Sequence, residues 1–343
     1  MVKPGLSILV CALIFLFNLT FGYGDVVEVP TLNVTQQDHL KLLSLGDVGI
    51  NIPALYVFGD SFVDNGNNKA IWEMMIPSEE VIFRSELISM EKLQAVSPME
   101  ELQWISLGKH VINFFQQVDL FENSTMEALK GSFDSPESFA DYLSKSLFYI
   151  NVASNDLGIT YEFEMHDKYS VDEYVKLLVQ ELSKQLKRLH TLGARKFLVN
   201  NVPPLGCQPF NINTRNNSGS CVEQMNELIS VYNDLLPGLL TQLQSTLPGS
   251  KFVLRDVYKI FRDVIASPES YGFKDVNTSC CFDKNGKRFE VCAPNIAPCE
   301  DRKTRMFFDP FHPSEAMYFV LVRRFLKDSS VCSPINLIQL MQA

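Results

Sequence analysis

Short apolar runs that end in small and polar residues recur along the chain. Four have the length of buried strands, at 54–58 (ALYVF), at the start of 146–156 (SLFYINVASND), at 195–206 (RKFLVNNVPPLG) and at 251–258 (KFVLRDVY). A short apolar run bounded by turn-forming residues is typical of a strand that is buried on both faces. The first run leads directly into Asp60 and Ser61, and the second into Ser154 and Asn155.

Helical periodicity fills the intervals between these strands. Apolar residues recur at helical spacing through 171–193, which Gly193 closes as a C-terminal cap, and through 222–249, where Pro237 predicts a kink. A further helix is predicted at 313–328, because its Pro-Ser-Glu opening suits a helix N-terminus. Strands that alternate with helices predict an α/β fold with a parallel sheet and right-handed crossovers.

Parallel sheets collect their active sites at the carboxyl ends of the strands. Ser61 follows the first predicted strand and Asn155 follows the second, so both are candidate site residues. Two interpretations of "GDS" at 59–61 compete. Gly and Asp are ordinary turn formers, so the stretch could be a strand followed by a turn, or the strand could aim Ser61 at a substrate.

Composition and charge narrow the class of protein. The 343 residues are 46% hydrophobic and 20% charged, which indicates a globular chain with a large core. The formal net charge of −10, without a Lys/Arg cluster, argues against a nucleic-acid partner, since phosphate binding needs a basic surface.

The N-terminus predicts secretion. Lys3 precedes an apolar core at 6–21, and small residues follow before Asp25, so residues 1–24 are predicted to be a signal peptide. A membrane anchor is the alternative, but the apolar run is short and no basic flank follows it. The remainder divides into a polar arm at 25–52, one domain at 53–330 and a C-terminal tail at 331–343.

Secretion makes the cysteines disulfide candidates. Cys207 and Cys221 bracket a polar loop and could staple it, whereas the pairing within the cluster formed by Cys280, Cys281, Cys292 and Cys299 stays open. Of the 8 cysteines, Cys11 leaves with the signal peptide. The remaining number is odd, so one thiol stays unpaired, and Cys332 is the best candidate for it. No paired C-x-x-C spacing suggests zinc. Glycosylation sequons occur at Asn33, Asn123, Asn216 and Asn277.

A nucleophilic serine needs a base and a group that orients that base. Among the five histidines, His312 lies in "FFDPFHPSEA", three residues after Asp309. A tight loop between Pro310 and Pro313 can bring the Asp309 carboxylate to Nδ1 and leave Nε2 free to accept the Ser61 proton. The other four lack this pattern: His39 and His166 lie in polar stretches, His190 lies among Lys and Arg on the long helix, and His110 is ambiguous.

"GDS" after the first strand, "SND" at 154–156 and "DPFH" at 309–312 together resemble the GDSL-type lipase/esterases of the SGNH hydrolase superfamily, most closely the plant secreted branch. The stretch "LGARKFLVNNVPPLGCQP" is also similar to that branch. The resemblance implies a three-layer α/β/α sandwich around a parallel, flavodoxin-like sheet of order 2-1-3-4-5.

The resemblance also implies a function. Ser61 would be the nucleophile and would lend its N–H to the oxyanion hole, Asn155 would be a second donor, His312 the base and Asp309 its orienter. The reaction would be ester hydrolysis through an acyl-enzyme, without a metal or organic cofactor. Lipids, cutin-like polyesters and acetylated glycans are the implied substrates, and the extracellular cell wall is the implied location.

The chain departs from the family pattern in two places. Ala153 stands where the family usually has Gly. The segment 69–106 contains no Gly and does not resemble the family block that supplies a strand and the remaining oxyanion donor. The sheet is therefore expected to lack an edge strand. The alternatives to a weakened esterase are an inactive relative that binds lipid or glycan, and an incomplete gene model of an active esterase.

Overall fold

The computed structural model describes residues 52–63, 112–215, 219–280 and 299–343. The predicted signal peptide, nearly all of the polar arm and the atypical segment 69–106 lie outside these ranges. Two sequons, Asn33 and Asn216, also fall outside them.

A five-stranded sheet forms the centre of the described fold. Its strands, in spatial as well as chain order, are β1 (Leu55–Gly59), β2 (Leu147–Asn151), β3 (Lys196–Asn200), β4 (Lys251–Arg255) and β5 (Cys332–Ser333). The first four are parallel, and the short β5 pairs antiparallel with β4. Every residue of β2 and β3 is buried, which explains why these strands are continuous apolar runs. The four strands predicted from those runs are confirmed.

Helices follow the strands and cover both faces of the sheet. They are α1 (Phe114–Leu120), α2 (Pro136–Lys145), α3 (Val171–Thr191), α4 (Pro209–Arg215), α5 (Glu223–Thr246), α6 (Val257–Ala266), α7 (Glu315–Lys327) and α8 (Leu337–Gln342). A π-helical segment Phe121–Met126 and a short α-helical segment Glu127–Lys130 follow α1, and a π-helical segment Asp156–Met165 follows β2. Three 3-10 turns complete the described elements: Leu205–Cys207, Pro268–Tyr271 and Arg302–Thr304.

Alternate side chains of β2 enter two separate cores. Phe148 and Ile150 pack in the core that α3 and α5 cover, whereas Leu147 and Tyr149 pack in the core that α6, α7 and α8 cover. A core on each face of a parallel sheet is the arrangement of an α/β/α sandwich. The predicted fold class is therefore confirmed.

The helix boundaries follow local chemistry. Ser170 and Glu173 form a reciprocal capping box at the start of α3, and Gly193, with φ of +116°, lies just beyond its end. Ser314 caps α7, accepting a hydrogen bond from the Met317 N–H. α5 continues through Pro237.

β1 lies at one edge of the sheet in the described part of the chain, because it pairs with β2 alone. In the expected family order 2-1-3-4-5, strand 1 is the strand before Ser61 and strand 2 lies on its outer side. Without strand 2, strand 1 lies at the edge of the sheet. Segment 69–106 lies outside the described residues, so the predicted loss of an edge strand stays a prediction.

Residues 331–343, expected to be a tail, pack against the sheet. They form β5 and α8, Leu340 is buried, and the Lys196 ammonium donates to the Met341 carbonyl over 3.0 Å. A two-residue strand carries too little pattern to be recognised in the sequence.

The described residues form two disulfides. They join Cys207 to Cys221, as the bracketed loop suggested, and Cys280 to Cys299. Cys332 is a free, buried thiol. None of the helices in the described ranges is long and apolar enough to span a membrane.

Candidate active site

Ser61 lies in a tight turn directly after β1, with its side chain exposed. The Asp60 N–H donates to the Asn151 carbonyl of β2 over 3.1 Å, and the Asp60 carbonyl accepts from the Val63 N–H over 3.0 Å. A Cβ atom at Gly59 would lie 2.5 Å from the Asn151 carbonyl oxygen, so the strand needs glycine there. The chain thus turns sharply out of the sheet and presents the hydroxyl.

A second loop, 251 residues further along the chain, brings His312 to that hydroxyl. The separation between His312 Nε2 and Ser61 Oγ is 2.8 Å. On the other side of the ring, Nδ1 lies 2.7 Å from Asp309 Oδ2. With the Nδ1 proton donated to the carboxylate, Nε2 is the acceptor for the serine proton. The structure therefore brings together Ser61, His312 and Asp309.

Local hydrogen bonds fix the Asp309 carboxylate. Its Oδ1 accepts from the backbone N–H groups of Phe311 and His312, at 2.7 Å and 2.6 Å. Burial by itself would raise the pKa of Asp309, but the His312 charge and these hydrogen bonds outweigh it and lower that pKa below its ordinary value. Asp309 is consequently ionised at neutral pH and holds the imidazole in one orientation.

Asn155 lies in the segment that leaves β2, at the same end of the sheet as Ser61. Its side chain is half-buried, and none of the described residues forms a hydrogen bond with its amide, which leaves the amide able to donate to a ligand. Ala153, two residues earlier, has φ of +83°, the left-handed region that favours glycine. The substitution noticed in the sequence thus falls where glycine would be unstrained.

Two carboxylates lie close to this segment. Burial and, to a smaller extent, the negative charge of Asp60 raise the pKa of Asp156 to about 6. Burial likewise raises the pKa of Asp60, whose Oδ1 accepts from the Phe62 N–H over 3.2 Å and from the Asn151 amide over 3.1 Å.

Amide side chains at the ends of β2 and β3 extend this polar region into the sheet. The Asn200 amide donates to Asn151 Oδ1 and, over 2.6 Å, to the Tyr149 hydroxyl. The Arg255 guanidinium lies over the Tyr149 ring, 4.8 Å from its centroid. The sequence did contain a signal for this network, since Asn ends two otherwise apolar strands.

Aromatic rings border the Ser61–His312 pair. The Phe62 and Phe311 ring centroids lie 5.7 Å and 6.4 Å from that of His312, and Phe210 packs on Phe311 at 4.8 Å. The Phe210 N–H also donates to the Pro310 carbonyl over 3.0 Å, which joins α4 to the His312 loop. No sequence pattern marks these rings, because they come from three separate parts of the chain: the Ser61 turn, α4 and the His312 loop.

The remaining candidate residues lie away from the pair. The His166 ring is exposed beside Asp167, and His190 contacts the Pro248 carbonyl, while His39 and His110 lie outside the described residues. Asn123 and Asn277 are both exposed. Within the described ranges no group of three or more acidic, His or Cys side chains is arranged to hold a metal ion.

Comparison with known proteins agrees with this geometry. The family model for GDSL-like Lipase/Acylhydrolase matches residues 55–325. The chain is 30% identical to GDSL esterase/lipase 7 of Arabidopsis thaliana over 333 residues, covering 84% of this chain and 92% of the relative. It is also 30% identical to GDSL esterase/lipase At1g71691 of the same plant over 375 residues, covering 97% and 96%. The chain therefore belongs to the GDSL-like lipase/acylhydrolase family.

Proposed function

We propose that this protein is a secreted carboxylic ester hydrolase in which Ser61 is the nucleophile. The observation that carries the proposal is the continuous chain of contacts from Ser61 Oγ to His312 Nε2 at 2.8 Å and from His312 Nδ1 to Asp309 at 2.7 Å. A serine, a base and an ionised orienter in this geometry form a competent nucleophile.

The reaction follows from the proton positions. As Ser61 Oγ attacks the ester carbonyl, His312 Nε2 takes its proton and then delivers it to the departing alcohol, leaving an acyl-enzyme. Water, deprotonated by the same nitrogen, attacks the acyl group and releases the acid. Asp309 stabilises the imidazolium that forms in both halves of the reaction.

Two donors are available for the negative charge on the carbonyl oxygen. The Ser61 N–H has no acceptor among the described residues, and the Asn155 amide is likewise uncommitted. Each such donor is worth about 10²–10³ in turnover where it has been removed from other hydrolases. These two groups support an oxyanion hole of at least two donors.

The bordering rings favour an ester with an apolar acyl or alcohol part. Phe62, Phe311 and Phe210 place apolar surface beside the reacting pair, and these side chains carry no hydrogen-bonding groups for glycan hydroxyls. Lipid and cutin-like esters are therefore the proposed substrates ahead of acetylated glycans.

An inactive relative that binds lipid or glycan is the second candidate. One observation favours it: the alignment with the relative At1g71691 spans 375 residues, more than the 343 of this chain, so that relative carries residues without a counterpart here. If these include the family's missing block, a further oxyanion donor is absent. The same observation supports an incomplete gene model.

Secretion is part of the proposal. The predicted signal peptide at 1–24, the two disulfides and the exposed sequon residues Asn123 and Asn277 support an extracellular glycoprotein. The cell wall remains the expected location.

The proposal is tested with the chain that lacks residues 1–24. Hydrolysis of p-nitrophenyl butyrate is measured beside the matched variant Ser61→Ala, together with covalent labelling by a fluorophosphonate. Turnover that exceeds the Ser61→Ala rate at least 100-fold, with the label on Ser61, is expected. Equal rates in two folded proteins, with no label, would instead support the inactive relative.

A further inference from the structure

Gly59, the last residue of β1 before the Ser61 turn, is restrained on both sides of the strand. Because the Asp60 N–H points toward β2, the adjoining peptide groups of Gly59 point toward the outer edge of the sheet. There the Gln117 side chain meets both of them: Oε1 accepts from the Gly59 N–H over 2.8 Å, and Nε2 donates to the Gly59 carbonyl over 2.8 Å. A single side-chain amide makes the paired hydrogen bonds that a neighbouring strand would make.

Helix α1 fixes the orientation of that amide. The second N–H of Gln117 Nε2 donates to the Ile112 carbonyl over 3.0 Å, so only one placement of oxygen and nitrogen satisfies all three bonds. The Asn113 side chain caps α1, and the Asn113 carbonyl accepts a hydrogen bond from the Gln117 backbone N–H over 2.9 Å. Residue 117 therefore lies in the first turn of the helix. The Gln117 side chain is half-buried.

This contact matters because Ser61 is two residues beyond Gly59 and its partner His312 comes from a different part of the chain. The His312 loop is fixed by its own hydrogen bonds, so the 2.8 Å contact between the reacting side chains depends on where β1 ends. On the described sheet β1 has a strand on one side only. Gln117 supplies the restraint on the other side.

We propose that Gln117 is a positioning residue for the nucleophile: its two bonds to Gly59 hold the turn so that Ser61 Oγ stays within reach of His312 Nε2. The inference rests on the proposed esterase function. It assigns to Gln117 no contact with substrate, and its effect on catalysis passes through Gly59.

The test compares Gln117→Met with Gln116→Met. Gln116 is the adjacent residue of the same helix, is exposed, and bonds only within the cap of α1, so its variant reports the general cost of altering that helix. Active sites are counted with a fluorophosphonate, and kcat is expressed per labelled site. Small displacements of reacting groups cost up to about 10²-fold. Q117M is expected to lose about 10- to 100-fold in kcat per site with KM within about twofold, while Q116M keeps its kcat.

A purely structural role predicts something different. Q117M would then have a lower melting temperature and fewer labelled sites, but each remaining site would turn over at the wild-type rate, and this result would overturn the proposal. If Q117M does not fold, Gln117→Glu is used, which can still accept from the Gly59 N–H but cannot donate to its carbonyl. Gln117→Glu is expected to lose less kcat per site than Gln117→Met. An unchanged kcat per site would overturn the proposal.

Amide hydrogen exchange separates this inference from the proposed function. In Q117M the Gly59 amide is expected to exchange at least 10-fold faster than in Q116M, while the amides of β3 are unchanged. If the wild-type protein hydrolyses no ester, the esterase proposal fails, and exchange alone then decides the restraint. Unchanged protection of Gly59 would overturn it.

Discussion

The two halves of the proposed catalytic pair, Ser61 and His312, are built differently. The His312 loop lies within a densely bonded region: Asp309 accepts two backbone N–H groups, the His312 carbonyl accepts from Phe308, and the disulfide between Cys280 and Cys299 lies next to it, with the Cys280 N–H donating to Phe308. The Ser61 turn follows β1, which in the described sheet pairs with one neighbouring strand and is contacted on its other side by the Gln117 side chain.

The nucleophile side also carries unfavourable features that the base side lacks. Ala153 has a left-handed backbone, and both burial and the negative charge of Asp60 raise the cost of ionising Asp156. Functional sites commonly retain such strain where the surrounding structure imposes it. The His312 side is therefore preformed by its own loop, whereas the Ser61 side depends on contacts from several elements.

The largest effect is expected from breaking the base side. Asp309→Asn keeps the shape of the side chain but removes the charge that holds the Nδ1 proton, so the imidazole loses its productive tautomer. The comparable change in a serine protease lowers kcat about 10⁴-fold, and a loss of about 10³–10⁴ is expected here. Steady-state hydrolysis of a p-nitrophenyl ester measures it.

Asp301→Asn is the control, because Asp301 is exposed and its side chain contacts Arg305 rather than the histidine. It should keep wild-type kcat. A loss of kcat below about tenfold in Asp309→Asn would mean that Asp309 does not orient His312 as the base.

On the nucleophile side, Asn155→Ala is expected to lower kcat about 10²–10³-fold with little change in KM. The amide would stabilise the oxyanion, which exists only in and near the transition state, so substrate binding should be nearly unaffected. Initial rates over a range of ester concentrations separate the two constants. A change in KM alone would place Asn155 in ground-state binding.

The two carboxylates give a pH-dependent test. The folded pKa of Asp156, about 6, lies above the ordinary value of about 3.9, so the unfolded chain ionises first. The free-energy cost of ionising Asp156 in the folded protein is absent below about pH 4, grows as the pH rises to about 6, and persists above that. Asp156→Asn should therefore raise the free energy of unfolding at pH 7 by about 1–3 kcal/mol and change it little at pH 4.

Urea denaturation at the two pH values measures this difference. Asp167→Asn is the matched control, since its side chain is 87% exposed and lies beside His166. An equal change at both pH values, or a loss of stability at pH 7, would contradict a raised pKa of Asp156 in the folded protein.

The smallest effect is expected from Ala153→Gly. Glycine relieves a left-handed strain of about 1–2 kcal/mol, but it loses a buried methyl worth about 0.8 kcal/mol and adds freedom to the unfolded chain. The free energy of unfolding should therefore change by less than about 1 kcal/mol. Ala194→Gly, at a site that is also buried but has no positive φ, should lose about 1–2 kcal/mol. Equal losses would mean that Ala153 is unstrained.

The sequence predicted much of the fold because burial on both faces leaves strands as uninterrupted apolar runs. It also predicted the Ser61–His312–Asp309 contact, since Asp and His share one loop and the serine follows a strand. It drew attention to Ala153 through a missing glycine, though only the structure gives the backbone angle. Gln117 gave no signal, because its contact with Gly59 joins a helix to a strand across 58 residues and depends on side-chain geometry.

The 251-residue separation between nucleophile and base has a consequence for synthesis. Ribosomes add about 5–20 residues per second, so roughly 10–50 s pass between the translation of Ser61 and that of His312. During that interval the growing chain has a serine without a base, and β1 lacks even β2 until residue 151 has been made. In the proposed mechanism, hydrolysis can therefore begin only after His312 has been made and has folded against the Ser61 turn.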